Sequence, residues 1–437
     1  MHKLESMRRP VWAWLALSSV AISHASAATR PHYGGSLTVE LSTAWTTLDP
    51  IEWNIALSIP ITETLVRLNA RGGIEPALSV AWQHDADWKR WRFSLRPKVT
   101  FHDGDPLNGA SAAPSLLAAL KKKYPDVSIQ TGGQAIVIQS SEVMPDLLRD
   151  LAAPSAAVFR TSVANPLIGT GPFRVTAWEP GRRLVVAAFD DYWNGRPYLD
   201  SVTVGLVASQ AHADIFDMPY GLTRRAFPEG VSIWSSAPRT LVAITAANVS
   251  PALMQALALA IDRAPIVNVL AQRRGEAAFS LLPQWLTGYA FLFRSAPDLG
   301  RAKQMVSQMR LGPISLGYTA NDVFLRTVAE RVALNARDAG IAIQPTSNAG
   351  GNLRLIEWSL GSTDAATELA RIAASLGVDH IDASKPEALY EAERSLLDRV
   401  IPLVHLSETY GIAPRVHIES SKSDTFALHL EDVWVQP

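Results

Sequence analysis

The sequence predicts an α/β protein of two lobes that meet at a hinged cleft. Up to residue 249, segments such as 37–41 and 91–95 alternate apolar and polar residues, which is typical of half-buried strands. From residue 250, helix and strand patterns alternate with short connections, which favours parallel sheet. Residues 405–437 return to short strand patterns. We therefore expect the chain to leave one lobe, build the other and come back, with crossing segments as the hinge. Two independent domains in series would need a linker, and no low-complexity stretch supplies one.

The clearest local prediction in the first half is a β-hairpin. Residues 173–178 and 184–189 have strand patterns and are joined by residues 179–182. In that connection Pro180 fixes one turn dihedral and Gly181 supplies the positive φ of a type II turn.

The second half predicts helices around a βαβ unit. Ser250 is a suitable cap for a helix whose first residue is Pro251. A strand at 314–318, a helix at 322–339 and a strand at 341–343 follow one another with short connections, which favours parallel pairing of the two strands. Further helices are predicted at 265–275, 363–376 and 386–400.

Composition and charge exclude several classes of protein. The 437 residues include 40 Lys and Arg, 41 Asp and Glu and no Cys. This length suggests two or three domains, and the near-zero net charge offers no basic surface for nucleic acid. Without cysteine, disulfides, thiolate zinc sites, iron–sulfur clusters and thiol nucleophiles are excluded.

The N-terminus has the layout of a secretory signal peptide. Lys3, Arg8 and Arg9 precede an apolar run at 11–22, and small residues at 25–27 provide a cleavage site. A membrane anchor is the alternative, but the run is short for a span of about 20 residues. A lipid anchor would need a cysteine after the signal, so we expect the mature protein to be freely soluble.

Motifs of common enzymes and cofactor sites are missing. Residues 169–171, Gly-Thr-Gly, lack the third glycine of a dinucleotide loop and precede Pro172, which has no N–H for a phosphate. The histidines never fall at the spacing of a helical zinc motif, and His102 with Asp103 fits a turn. We therefore expect a protein that is not an enzyme and that holds no cofactor and no metal.

A series of short motifs runs along the chain after the signal. They are GGSLTV (34–39), TLDP (47–50), ETLVRL (63–68), IEPALS (74–79), WRFSLR (91–96), FHDGDPL (101–107), GTGPF (169–173), WEPG (178–181), DYWNGRPYLD (191–200) and ALALAIDR (256–263). In this order they resemble the family 5 extracellular solute-binding proteins of ABC transporters, the oligopeptide, dipeptide and nickel-binding group. The resemblance implies a monomeric receptor that closes on a solute and delivers it to a permease and ATPase complex in the inner membrane.

The resemblance also implies the two-lobed periplasmic binding protein fold with a hinged cleft. The segment between Leu107 and Gly169 is shorter than the family's, so we expect a reduced small extra domain. The predicted domains are the signal peptide (1–27), lobe I in two parts (28–80 and 165–249), the small domain (81–164), lobe II (250–404) and a return to lobe I (405–437).

The function implied is binding of peptide or peptide-like solutes for an ABC importer. One alternative is a binding-protein scaffold used for sensing or without a transporter, and another is a secreted hydrolase with a carboxylate pair. Most tryptophans are expected in the core, and the others would suit an aromatic-walled cleft. In the family, an acidic residue of a Trp and Asp-rich stretch can hold a peptide's amino terminus, and Asp364 is the match here. Each candidate could instead serve as a core residue or a helix cap. The predicted ligand-binding residues are Trp45, Asn54, Asn248, Trp285, Trp358 and Asp364.

Overall fold

The fold is given by a computed structural model. It describes residues 31–42, 46–49, 57–69, 73–163, 165–206, 213–220, 229–247, 249–348, 350–378, 381–382, 385–418 and 427–436. The predicted signal peptide, residues 1–27, lies outside these ranges. Within them, no helix combines the length and the apolar character that a membrane crossing requires.

The first lobe is built on a seven-stranded mixed sheet. Its central strand, Ser36–Leu41, pairs in parallel with Ser201–Leu206 on one side and Ile215–Asp217 on the other. The predicted alternation is confirmed, because every second residue of the central strand is buried. In spatial order the strands are Ser232–Ser235, Thr409–Ile412, Ile215–Asp217, Ser36–Leu41, Ser201–Leu206, Arg183–Ala188 and Phe173–Glu179. The last two form the predicted hairpin, in which Gly181 has a φ of 72°.

The second lobe is built on a six-stranded mixed sheet with helices. Strands Ile314–Gly317 and Ile343–Thr346 pair in parallel around helix Val323–Asp338, which confirms the βαβ unit. In spatial order the strands are Gly275–Ala277, Val400–Leu406, Thr240–Ala246, Leu353–Ser359, Ile314–Gly317 and Ile343–Thr346. The α-helices of this lobe are Pro251–Ala260, Gln284–Thr287, Leu299–Ser307, Val323–Asp338, Ala365–Ser375 and Pro386–Leu396.

One predicted helix of this lobe differs from the structure. In place of a helix over 265–275, the chain makes a five-residue π-helix, Ile266–Leu270. Gln272 and Arg273 follow with φ values of 53° and 62°, and this left-handed backbone ends the helix before Gly275. By contrast, the cap predicted at Ser250 is confirmed, since its side chain accepts a hydrogen bond from the Leu253 N–H.

A third, smaller body consists of a four-stranded antiparallel sheet and two helices. We call it the small unit and define it by strands Ser79–His84, Arg90–Leu95, Ala135–Gln139 and Ser128–Gly132 with helices Gly109–Leu120 and Leu147–Ala152. Its core includes Trp91, Phe93 and Phe101, none of them more than 1% exposed. Shorter elements complete the fold as strand pairs Leu57–Ser58 with Leu428–His429, Val66–Leu68 with Ile74–Pro76 and Val416–Ile418 with Val433–Val435, and as 3₁₀ turns Pro154–Ala156, Ala290–Phe293 and Leu430–Asp432.

The chain passes between the two large sheets twice, at neighbouring points. It goes from strand Ser232–Ser235 to strand Thr240–Ala246 and returns from Val400–Leu406 to Thr409–Ile412. The crossing segments are hydrogen-bonded to each other, because the Ser236 N–H donates to the Glu408 carbonyl at 2.9 Å. The chain therefore passes from one sheet to the other at 236–239 and at 407–408. The domain limits at 249 and 404 stay predictions.

The segment Gly169–Gly171 is held against the small unit by a buried histidine. The Gly169 N–H donates to Nδ1 of His102 at 3.2 Å, and Nε2 lies 2.9 Å from the Gly171 carbonyl oxygen. Burial lowers the pKa of His102 to about 4, so the ring is neutral and Nε2 donates. His102 therefore lies in a turn, as predicted, and also connects the small unit to the first lobe.

We expect Gly169→Ala to lower the free energy of unfolding by about 2 kcal/mol. The added Cβ would lie 2.0 Å from the carbonyl oxygen of Ile61, which is backbone and cannot rotate away. Chemical denaturation measures the loss. Gly132→Ala is the control, because its Cβ meets open space, and it should change stability by less than about 0.5 kcal/mol. Equal stability of the two variants would contradict the expectation.

Candidate ligand-binding cleft

A cavity of about 350 Å³ lies where the two large sheets meet beside the crossings. The first lobe contributes Leu41 and Ser42 at the end of its central strand, together with Asp217 from the neighbouring strand. The second lobe contributes Glu357 and Ser359, which lie on one face of strand Leu353–Ser359. Both lobes thus form the wall, so a rotation about the crossings would open or close the cavity.

The ionisable groups that line this cavity are mainly acidic. Four carboxylates line it, and no Lys, Arg or His of the described residues is part of the lining. The carboxylates are those of Asp217, Asp322, Glu357 and Glu408. Because a cleft with low-dielectric walls concentrates the field of its charges, this cavity favours a positively charged group.

Glu357 faces the cavity because of strand alternation. Its neighbour Trp358 points to the opposite face and packs in an apolar cluster with Leu241 and Leu369. The Glu357 side chain is exposed to the cavity, but the surrounding protein limits its hydration. This burial, together with the negative charge of Asp322, raises the pKa of Glu357 to about 7. Among the described residues, its carboxyl group has no hydrogen-bond or ion-pair partner.

The other three carboxylates are held by partners. Asp217 accepts a hydrogen bond from the Ser42 N–H at 2.9 Å, and burial followed by the charge of Glu408 raises its pKa. Asp322 caps helix Val323–Asp338 by accepting from the N–H of its third residue at 2.8 Å. Glu408 forms hydrogen bonds and ion pairs at the crossings. The group that remains available to a ligand is therefore Glu357.

Arg239 neutralises Glu408 from behind the cavity wall. Its side chain is 2% exposed, and Nε lies 3.5 Å from Oε1 of Glu408. Tyr410 donates its hydroxyl to Oε2 of the same carboxylate at 2.8 Å. Arg239 also lines a second cavity of about 380 Å³, whose wall includes residues 57–64 of the first lobe and 361–363 of the second. The Arg239–Glu408 pair thus lies between two cavities of one interlobe cleft.

Three of the six predicted ligand-binding residues, Trp45, Asn54 and Asn248, lie outside the described residues. Trp285 is 37% exposed and donates from Nε1 to the Pro238 carbonyl at the first crossing. Trp358 is 8% exposed in the core of the second lobe. Neither tryptophan lines the two cavities.

Asp364 caps helix Ala365–Ser375 and pairs with Arg149. One carboxylate oxygen accepts from the Thr367 N–H at 3.0 Å, and the other lies 2.7 Å from Nη1 of Arg149. Residues 361–363 just before it line the second cavity, but Asp364 does not. Its ligand role, like those of the two tryptophans, stays a prediction. In the described part of the chain, no three His, Asp or Glu residues are grouped closely enough to hold a metal ion.

The residues that the sequence predicts for the site do not include Glu357, Asp217 and Asp322. For Glu357 a signal existed, because a strand that buries Trp358 must turn residue 357 to the other face. For Asp322 the sequence predicts only the start of a helix. Asp217 carries no local signal, since the other carboxylates of the cavity come from distant parts of the chain.

We expect Glu357→Gln to stabilise the protein more at pH 8 than at pH 5. With a pKa of about 7, Glu357 is protonated in the folded protein at pH 5. Its side chain is then uncharged and similar in size to that of Gln. At pH 8 its poorly hydrated charge lowers stability, because the folded state binds the proton more tightly than the unfolded chain does.

Thermal unfolding of both proteins at the two pH values measures the difference. Glu330→Gln is the control, since Glu330 is exposed and 3.8 Å from Arg326 on a surface helix. A gain from Glu357→Gln that is the same at both pH values would show that the charge is not the cause.

Comparison with known proteins shows which family part of the chain resembles. Residues 73–215 match the family described as bacterial extracellular solute-binding proteins, family 5 Middle. The nickel-binding protein NikA of Staphylococcus aureus is 29% identical over 202 residues, which are 44% of this chain and 40% of that protein. The probable D,D-dipeptide-binding periplasmic protein DdpA of Escherichia coli is 23% identical over 353 residues, 70% of this chain and 68% of DdpA. The alignments thus cover about two fifths of NikA and two thirds of DdpA.

Solved structures share the fold over nearly the whole chain. Staphylococcus aureus NikA in complex with Ni(L-His)2 has a TM-score of 0.71 at 17% identity, covering 92% of this chain and 100% of NikA. The oligopeptide-binding protein AppA of Bacillus subtilis, in complex with a nonapeptide, has a TM-score of 0.70 at 18% identity, covering 93% and 100%. These likenesses confirm the two-lobed fold. The sequence match over residues 73–215 confirms, for that part of the chain, the resemblance to family 5 solute-binding proteins that the motifs predict.

Proposed function

We propose that the protein is the substrate-binding component of an ABC importer and that it binds peptide or peptide-like solutes by closing its cleft. The family match and the relatives that carry nickel-binding and dipeptide-binding names support a role in solute binding. Delivery of the solute to a membrane permease and its ATPase follows from that family role. The proposal is a role in binding without a covalent step, that is, a role that is not enzymatic.

The observation that carries the proposal is the composition of the 350 Å³ cavity. Its wall comes from both lobes, so a ligand that contacts Ser42 and Glu357 together stabilises the closed arrangement. A site built in this way couples binding to a change of shape, which a permease could recognise. The hinge is the pair of crossings at 236–239 and 407–408.

The carboxylates of the cavity favour a ligand with an amino group. Peptides have one at the N-terminus, and its ammonium form would find a partner in Glu357. The rest of an extended peptide can be bound through its main chain, which tolerates many side chains. The second cavity, beyond the Arg239–Glu408 pair, provides about 380 Å³ next to the first.

Export and location follow from the same proposal. The signal at 1–27 would direct the chain across the inner membrane, and the lack of cysteine leaves no site for a lipid anchor. The mature receptor would then be a periplasmic monomer with lobe limits near those predicted. The relatives named as nickel-binding make a nickel–histidine complex the second ligand to test.

We expect a dipeptide with a free N-terminus to raise the melting temperature and its N-acetylated form to bind about tenfold more weakly or worse. Loss of a charged hydrogen bond costs about 1.5–3 kcal/mol, which corresponds to that factor. Glu357→Gln should weaken binding of the free dipeptide by a similar factor and leave the acetylated form unaffected. Thermal shift and calorimetric titration of the mature chain measure these affinities.

Comparing the two peptides on the two proteins isolates the contact between Glu357 and the amino group. If that contact exists, removing both partners should cost no more affinity than removing one. Glu330→Gln again serves as the control and should leave both affinities unchanged. If acetylated peptide loses as much affinity in Glu357→Gln as the free peptide does, Glu357 does not bind the amino group. If nickel with histidine raises the melting temperature and no peptide does, the peptide part of the proposal is wrong.

A further inference from the structure

An ion pair connects the small unit to the second lobe across the cleft. Nη1 of Arg149 lies 2.7 Å from Oδ1 of Asp364, and the two residues are 215 positions apart. The Asp364 side chain is 12% exposed and that of Arg149 is 46% exposed. Solvent therefore reaches the pair from the side of Arg149.

Both partners are fixed in their own bodies. Arg149 belongs to helix Leu147–Ala152, whose residues Leu147 and Leu151 are fully buried in the core of the small unit. Asp364 is held by its cap contacts with Thr367, whose N–H and hydroxyl both donate to Oδ2. Because neither end can move far alone, the pair forms only when the small unit and the second lobe are close together.

The connections of the chain make this contact sensitive to cleft opening. The small unit is held to the first lobe by His102, which bonds to Gly169 and Gly171. The second lobe is joined to the first through the crossings at 236–239 and 407–408. A rotation at the crossings that separates the two lobes would thus also separate Arg149 from Asp364.

We infer that the Arg149–Asp364 pair is a latch that favours the closed arrangement of the lobes. Residues next to both partners of the latch line the second cavity. They are Ala152 and Pro154, which follow Arg149, and Ser362 and Thr363, which precede Asp364. The latch therefore lies beside the ligand cleft and does not occupy it. The latch depends on the fold alone, so it can be tested separately from the proposed ligand.

The expected size of the effect follows from the exposure of the pair. Ion pairs that solvent reaches shift an equilibrium by about two- to fivefold, and salt screens them. We therefore expect the ratio of closed to open molecules to fall about two- to fivefold when the latch is broken. A change of this size matters because it sets the fraction of receptor that is ready to hold a ligand.

The absence of cysteine makes the test simple. Cysteines placed at Val143 in the small unit and Leu334 in the second lobe, which are 55% and 39% exposed, would be the only thiols of the protein. Spin labels on them report the distance between the two bodies by pulsed electron resonance in the ligand-free protein. We expect Arg149→Gln and Asp364→Asn each to increase the population at longer distance. Asparagine is a good helix cap, so Asp364→Asn removes the charge and keeps the helix start.

Lys123→Gln is the matched control, because Lys123 pairs with Asp150 at 2.8 Å within the small unit and bridges no cleft. It should leave the distances unchanged. Raising sodium chloride from about 0.05 to 0.5 M should lengthen the distances in the parent protein and have little effect on the two latch variants. Distances that are the same in the parent, both latch variants and both salt concentrations would overturn the latch.

Discussion

The arrangement of the two lobes depends on one buried guanidinium group. Arg239 sits in the first crossing, where its backbone N–H donates to the Leu406 carbonyl at 2.8 Å and its Nη2 donates to the Leu360 carbonyl at 2.6 Å. The same side chain pairs with Glu408 in the second crossing. Because a buried charge that loses its partner costs several kcal/mol, these contacts fix the crossings relative to each other. They also place Glu408 at the wall of one cavity and Arg239 at the wall of the other.

Elements whose signals are local could be predicted from the sequence. Ser250 with Pro251 marks a helix start, and Pro180 with Gly181 marks a hairpin turn, because each signal lies within a few residues of the structure it specifies. The π-helix Ile266–Leu270 was not predicted, since apolar spacing alone does not reveal that the next residues take left-handed backbone. The pairing of Ser36–Leu41 with Ser201–Leu206 could not be predicted from the sequence either, because it joins segments far apart in the chain.

The candidate site was predicted to a lesser degree. Trp358 is a predicted ligand-binding residue, but the residues of its strand that face the cavity are its neighbours Glu357 and Ser359. Asp217 and Asp322 join them through the folding of both lobes, so no spacing in the sequence could have grouped them. The contact between Arg149 and Asp364 is likewise a product of tertiary structure, although a cap at Asp364 was foreseen as an alternative.

Glu357 has a consequence for the thermodynamics of the receptor. At neutral pH its carboxyl group is protonated in a sizeable fraction of molecules, since its pKa is about 7. A cation that binds beside it favours the ionised form, so each binding event expels part of a proton into the solvent. By reciprocity, acid in the surroundings competes with the cation for the same oxygen atoms. Binding of a cationic solute in this cleft would therefore exchange one cation for another, and its affinity would depend on the acidity of the surrounding medium.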